Sequence, residues 1–176
     1  MKVLYQNPKS QVWYVVALES EFYNKDVNIL YTGVGLVDAA MSVQWLLDHH
    51  KVSKIINLGT CACRDGLHGI TVRPAMVELR DGWDGDSQDA YDINIEGGGM
   101  ILASGNSFVK DWKKLDKEIK LVDMEAWAIC RVCDKNGIDC DIVKYISDSG
   151  DEGEWEKSLK HANKEFNKMV KRWKHK

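Results

Sequence analysis

Leu121-Val122-Asp123-Met124-Glu125-Ala126-Trp127-Ala128 opens, and Ile142-Val143-Lys144-Tyr145-Ile146-Ser147-Asp148-Ser149-Gly150-Asp151 closes, the stretch that decides the fold. An apolar strand stops at Asp123, and a helix begins at once with Glu125 in its first turn. That helix is predicted to run to Asn136 and to stop at Gly137, a residue suited to the left-handed conformation of a helix C-cap. A second apolar strand then ends in Ser147-Asp148. Carboxylates thus stand where strands run out. In open α/β sheets the C-terminal ends of strands are where ligands bind, and acids gathered there point to proton transfer on a small molecule.

Outward from this stretch, strands and helices alternate. Lys2 to Tyr5 reads as a short edge strand. Gln11 to Leu18 is a stronger one, with Val12, Tyr14 and Val16 on one face and Trp13, Val15 and Ala17 on the other. Two apolar faces predict a strand covered on both sides, and it runs out at Glu19-Ser20-Glu21. Val27 to Tyr31 is a further strand, followed by Thr32-Gly33-Val34-Gly35 and a helix over 36–50 with Ala39, Ala40, Val43, Leu46 and Leu47 as its buried stripe. Lys54 to Leu58 reads as a short buried strand leading into Gly59-Thr60-Cys61-Ala62-Cys63. Ile70 to Leu79 alternates like a strand, with Pro74 marking an edge or an irregularity.

Residues 80–99 are polar and rich in Gly and Asp, a loop with one short strand at Tyr91 to Ile95. Met100 to Ala103 is a strand, and Asp111 to Lys120 a charged helix and turn. The last element is a helix over 152–174 in which Trp155, Leu159, Ala162, Phe166, Met169, Val170 and Trp173 recur at helical spacing. The pattern predicts an α/β, three-layer sandwich with a mostly parallel or mixed central sheet flanked by helices, in a single domain spanning 1–176.

The 176 residues are enough to bury a sizeable core. Net charge of -3, with 44% hydrophobic and 29% charged residues, is ordinary for a water-soluble domain and gives no electrostatic reason to expect nucleic acid. The lysines after Lys160 fall on the wet face of the last helix. No apolar run approaches membrane-spanning length, and no secretory leader is read at the start. Five cysteines, an odd number without secretory features, predict reduced thiols in cytoplasm.

Three constellations carry weaker chemistry. Gly33-Val34-Gly35 after a strand fits a dinucleotide turn only in part, because Asp38 stands where a third small residue belongs; the plain reading is a tight strand-to-helix turn whose N–H groups face a ligand site. Cys61, Cys63, Cys130 and Cys133 have poor spacing for zinc and read as buried thiols, so no metal is expected. His49 and His50 close a helix, where such residues suit the dipole. Singly, Asp148 reads as a helix cap and Glu125 as a first-turn acid. Glu21, Glu125 and Asp148 together, each at the end of an apolar strand, read as a site.

With these residues in view, the chain resembles the nucleoside phosphorylase and nucleosidase superfamily, and most of all the 5′-methylthioadenosine/S-adenosylhomocysteine nucleosidases. The resemblance rests on Ala17-Leu18-Glu19-Ser20-Glu21, Thr32-Gly33-Val34-Gly35, Asn57-Leu58-Gly59-Thr60-Cys61, Ala103 to Val109, Val122-Asp123-Met124-Glu125-Ala126 and Ile146-Ser147-Asp148. It implies a purine nucleoside substrate, no cofactor and a homodimer, the last supported by several tryptophans expected to be exposed in a lone chain. It also implies roles. Asp148, raised in pKa by burial and oriented by Ser147, protonates purine N7. Glu125 takes the ribose hydroxyls and favours the cationic sugar, and Met124 packs beneath the ribose beside Asp123. Glu21 positions and deprotonates water. Phe108 stacks on the base, the Val109 backbone reads its edge, and Gly59 and Thr60 lie near ribose and water.

The departures from the family are also informative. Lys144 stands where these nucleosidases have an arginine near the water, keeping the charge without the planar fork. Asn106 replaces an Asp of the purine segment. Thr60-Cys61-Ala62-Cys63 replaces a Ser-Ala-Gly-Gly type turn. The chain is some tens of residues shorter, lacking a hairpin after the first strand and much of the loop at 80–99, where Trp83 and Tyr91 are candidates to rebuild the pocket for the 5′ group. Phosphorylases of the superfamily hold phosphate with arginines, one of them at the position of Asn57, so water is the expected nucleophile. Phosphorolysis with a rebuilt phosphate site, or nucleoside binding without cleavage, are the alternatives.

Overall fold

In the computed structural model, residues 1–80, 90–92 and 99–173 are described, with backbone alone at 90–92. The strands are β1 (Lys2–Leu4), β2 (Val12–Val16), β3 (Asn28–Tyr31), β4 (Lys54–Cys63), β5 (Thr71–Val72), β6 (Met76–Leu79), β7 (Ala90–Asp92), β8 (Ile101–Ser104), β9 (Ile119–Asp123) and β10 (Asp139–Asp148). The helices are α1 (Leu36–His49), α2 (Ala126–Asn136) and α3 (Glu152–Trp173). The strands form one mixed sheet. β3, β2, β4 and β10 run parallel to one another, as do β6, β8 and β9, whereas β1, β5 and β7 join β3, β10 and β6 antiparallel and β9 meets β4 antiparallel.

The alternation of β2 is realised on two sides of the sheet. Trp13 and Val15 pack with Leu30, Val43, Leu46 and Ile129 under α1 and α2. Tyr14 and Val16 pack with Phe22, Ile29 and Leu58 against Ala162, Phe166 and Val170 of α3. This is the three-layer sandwich expected from the pattern. Gly137 adopts φ 65°, ψ 33° at the end of α2, and its N–H returns to the Asp134 and Cys133 carbonyls, as a left-handed cap requires. Among the described residues no helix is long and apolar enough to cross a membrane.

Three elements differ from the sequence reading. β4 does not stop at Leu58 but continues through Gly59-Thr60-Cys61-Ala62 to Cys63, because β10 pairs with it along that length. The strand expected over Ile70 to Leu79 is broken at Pro74. β5 pairs with β10 and β6 with β8, so the chain changes sheet partners at the residue that cannot donate to a ladder. The helix expected within 111–120 is one 3-10 turn, Trp112–Lys114, and Ile119 already belongs to β9. The short strand expected at Tyr91 to Ile95 is present as β7, and its residues beyond Asp92 lie outside the described residues, as does Trp83.

The long β4 creates the opening on which the site is built. Its residues Lys54 to Asn57 pair with β2 on one edge and with β10 on the other. By Ala62 and Cys63, β9 has taken over the edge that β2 held. Between Asn57 and Ala62 that edge has no strand partner. The C-terminal ends of β2 and β9 face each other across the gap, which is the strand-end crevice in which α/β sheets bind ligands.

The layer of α3 holds this frame from below. Phe166 is fully buried, edge-on to Phe22 with ring centroids 6.1 Å apart. Phe166→Ala is expected to cost about 3–5 kcal/mol by transfer and cavity terms, read as a lowered urea midpoint; a loss below about 1 kcal/mol would contradict this packing.

Candidate active site

A cavity of about 260 Å³ occupies the opening. That is just below the roughly 300–1,000 Å³ usual for small-molecule pockets, and it suits a compact ligand. Of the residues singled out in the sequence, Glu21, Thr60, Phe108, Val109, Asp123 and Met124 line it, with Glu125, Ser147 and Asp148. Lys144, Gly59 and Asn106 are not among its lining residues.

Glu21 follows β2 in a turn closed by its own N–H to the Leu18 carbonyl. The residue is 4% exposed, and its carboxylate is held by β4 and the turn. Oε1 accepts from the Thr60 N–H at 2.8 Å and the Thr60 hydroxyl at 2.6 Å, and Oε2 accepts from the Leu18 N–H at 3.1 Å. The Thr60 N–H lies on the stretch of β4 without a strand partner, so a side chain takes the place of the missing strand.

Glu125 and Asp123 come from the end of β9. Glu125 Oε1 accepts the Gly35 N–H at 2.9 Å, and Asn106 Oδ1 accepts the Leu36 N–H at 3.0 Å. The first N–H groups of α1 are therefore claimed by side chains from the far side of the opening, which is how the Gly33-Val34-Gly35 turn enters the site. Both glycines have positive φ, 91° and 105°, conformations that favour glycine. Asn106 serves here as a helix-terminus partner. Asp123 accepts from the Ser104 hydroxyl and, at 2.9 Å, from the Ala126 N–H, anchoring the start of α2.

Beneath these acids lies Lys144, 1% exposed, with Nζ 2.7 Å from Asp123 Oδ2. Lys144 on β10 pairs with Gly59 on β4, and a Cβ at Gly59 would come within 3.1 Å of Nζ. The glycine is what lets the ammonium lie across β4. Lys144 is held charged, above its ordinary range, by Asp123, Glu125 and Glu21 against its burial. Glu125 is pushed up to about 8 by its burial first and by the Asp123 charge second, opposed by Lys144 and the Gly35 N–H.

Ser147 and Asp148 owe their placement to a bulge. Ile146 pairs with Cys61 and Asp148 with Ala62, so Ser147 is an extra residue in β10. A bulge re-aims side chains, and here two successive residues both reach the cavity. The Ser147 hydroxyl lies 2.6 Å from Asp148 Oδ2 and 3.1 Å from the Cys61 carbonyl, while the Gly150 N–H donates to Asp148 Oδ1 at 2.8 Å. Gly150 (φ 109°) seats directly on the Val109 carbonyl, which a Cβ would meet at 2.6 Å. With the Trp112 indole donating to the Ser149 carbonyl at 2.7 Å, this contact fixes the Phe108-Val109 wall to the Asp148 turn.

Sequence reasoning did not assign Val34, Arg80, Glu152 or Trp155 to the site, yet all four line it. The missed signal for the last two was distance along the chain. α3 starts four residues after Asp148, so its first turn has to overhang the cavity before its apolar stripe reaches the sheet. The cysteines show no comparable arrangement. Cys133 and Cys140 are joined by a thiol hydrogen bond that, with burial, keeps Cys133 far above the ordinary thiol range, and the described residues contain no group of three ligands able to hold a metal.

No protein-family model matches the chain. A 5′-methylthioadenosine/S-adenosylhomocysteine nucleosidase of Exiguobacterium sp. is 25% identical over an alignment of 165 positions taking in 73% of this chain and 70% of the relative. Among solved structures, the corresponding nucleosidase of Helicobacter pylori gives a TM-score of 0.75 at 17% identity, covering 92% of this chain and 97% of that one. The futalosine hydrolase of Helicobacter pylori gives 0.76 at 18% identity with the same coverage, and the nucleosidase of Neisseria meningitidis 0.72 at 21%, covering 86% and 92%. The fold is that of the nucleoside phosphorylase and nucleosidase superfamily. Within it the chain resembles the 5′-methylthioadenosine/S-adenosylhomocysteine nucleosidases.

The raised Glu125 has a measurable consequence. A carboxyl whose folded pKa lies near 8 and whose ordinary value is 4.5 contributes stability that is fully present below about 4.5 and lost as pH rises through about 8. Glu125→Gln stays neutral and escapes that loss. Thermal melts from pH 5 to 8 should therefore show the variant gaining on the parent, by at most about 1.4 kcal/mol per pH unit. A difference that stays constant across this range would contradict the assignment.

Proposed function

We propose that the chain is a purine nucleosidase. It hydrolyses the N-ribosidic bond of methylthioadenosine, S-adenosylhomocysteine or adenosine, giving free adenine and the ribose sugar. The observation that carries this reading is the convergence of Glu21, Glu125 and Asp148, from three strand ends, on one cavity with three different hydrogen-bond environments. The nucleosidase relatives support it.

Each environment suits one task. The Ser147 hydroxyl has one proton and two acceptors in reach; the Cys61 carbonyl can only accept, so a proton on Asp148 Oδ2 satisfies both contacts at once. Asp148 in that state is the acid that protonates the leaving purine at N7. Glu125 faces the ribose hydroxyls, and in its ionised form it stabilises the oxocarbenium-like sugar. Met124 packs beneath the ribose, and Phe108 and Val109 form the base wall. Glu21 takes a proton from the attacking water, so two carboxyls divide acid and base work as in other glycoside hydrolysis.

The electrostatics favour water over phosphate. Among the described lining residues Arg80 is the one cation, and it donates to the Ser107 carbonyl and hydroxyl at 2.7 and 2.9 Å. The ammonium of Lys144 near Glu21 is already paired with Asp123 at 2.7 Å. Asn57, at the position of a phosphorylase arginine, spends its amide on the Val15 carbonyl at 2.9 Å. The free thiols fit a cytoplasmic location.

A homodimer is part of the reading, on different grounds from those expected. None of the described tryptophans is exposed. Instead Val34, in the turn before α1 at the cavity, and Val37 and Met41 of α1 are 47%, 64% and 68% exposed, a stripe suited to a second copy. Light scattering at micromolar concentration should give twice the 20.0 kDa chain mass; a monomer would remove the dimer.

The decisive assay supplies these nucleosides and inosine with and without phosphate. Free base and free sugar should form regardless of phosphate, and Asp148→Asn should lower turnover by about 10²–10⁴-fold while still binding ligand. Ribose 1-phosphate, or undiminished turnover in the variant, would overturn the proposal.

A further inference from the structure

Trp155 lines the cavity with its indole N–H directed to a protein partner. Its indole N–H donates to Thr60 Oγ1 at 3.0 Å, and Oγ1 donates to Glu21 Oε1 at 2.6 Å. We propose that Trp155 is a positioning residue that acts through Thr60 to fix which oxygen of Glu21 takes the proton from water. The inference rests on the hydrolytic reading of the site and names a residue and an atom that the reading leaves open.

The argument is an inventory of protons and lone pairs. A hydroxyl has one proton and can rotate. At Thr60 the indole N–H, which can only donate, occupies a lone pair of Oγ1. That fixes the hydroxyl proton on its other neighbour, Glu21 Oε1, instead of leaving it free to turn toward water. Oε1 also accepts the Thr60 N–H at 2.8 Å, so both of its acceptor sites are filled. Oε2 accepts only the Leu18 N–H at 3.1 Å and keeps one site. Glu21 lines the cavity, so Oε2 is the atom left to receive the proton. A chain of donors polarises each next bond, and it starts from a ring held in the first turn of α3. The β-branched Thr60 has a stiff χ1, which completes the fixing.

The test compares Trp155→Phe, which keeps an aromatic wall and loses the N–H, with Thr60→Val, Thr60→Ser and the Trp155→Phe/Thr60→Val pair. Trp155→Phe should lower kcat about 3- to 10-fold with KM changed less than about 2-fold. Thr60→Ser should keep most activity, Thr60→Val should lose more than Trp155→Phe, and adding Trp155→Phe to Thr60→Val should change nothing further, since the tryptophan acts only through the hydroxyl. A structural readout stands apart from turnover. The indole N–H resonance that vanishes in Trp155→Phe should be protected from exchange in the parent and lose that protection in Thr60→Val. A parent that cleaves no nucleoside overturns the hydrolytic reading. An active parent with an unchanged kcat in Trp155→Phe, a rise in KM alone, additive losses in the pair, or an unprotected indole overturns the relay and leaves the hydrolytic reading standing.

Discussion

The ion pair between Lys144 and Asp123 is the interaction on which the rest depends. Glu21, Asp123 and Glu125 are each less than 8% exposed and share one opening in the sheet. Carboxylates taken out of water are costly unless paired, and removing one partner of a buried pair is worth about 3–5 kcal/mol of destabilisation because it strands the other. Among the described residues Lys144 is the ammonium that interacts with all three. Its partner Asp123 also anchors the Ala126 N–H and the Ser104 hydroxyl, so the charge balance is tied to where α2 starts and where β8 ends. Gly59 belongs to the same device, since the lysine crosses β4 over it.

The opening itself follows from strand length. β4 outlasts β2, and β9 joins it only at its last residues. Side chains fill the vacated hydrogen-bonding edge, and they are the functional ones: Glu21 on the Thr60 N–H is both a substitute for a missing strand and a carboxylate aimed into the cavity. The bulge at Ser147 on the opposite edge of β4 does the complementary job of turning two neighbouring side chains toward the same space. Site and sheet irregularity are one feature here, which is why neither can be altered alone.

Much of this was legible beforehand, because the relevant signals were local. The doubly apolar β2 announced its two covers, Gly137 announced the end of α2, and acids at the ends of apolar runs announced the site. What escaped was set by pairing. By its sequence β4 ends at Leu58, because Gly-Thr-Cys-Ala-Cys has little strand signal of its own; β10 supplies the pairing that extends it. Trp155 read as one more core residue of α3, since periodicity cannot tell a helix turn over the sheet from one over a cavity beside it. The pairing of Lys144 with Asp123 depends on which face of β10 a residue presents and on a glycine in the next strand. Asn106, placed by resemblance with the base, is directed to the N-terminus of α1.

The charge balance bears on how the proposed reaction would be accelerated. Among the described residues three carboxyl groups, Glu21, Asp123 and Glu125, share the opening with the Lys144 ammonium, and burial with the Asp123 charge makes Glu125 hold its proton to about pH 8. A neutral nucleoside brings these groups no charge. A sugar losing its base becomes positive, and only then do the carboxylates meet a ligand charge opposite to their own. The interaction is thus weak with the substrate and strong with the transition state, the condition for raising turnover instead of merely tightening binding.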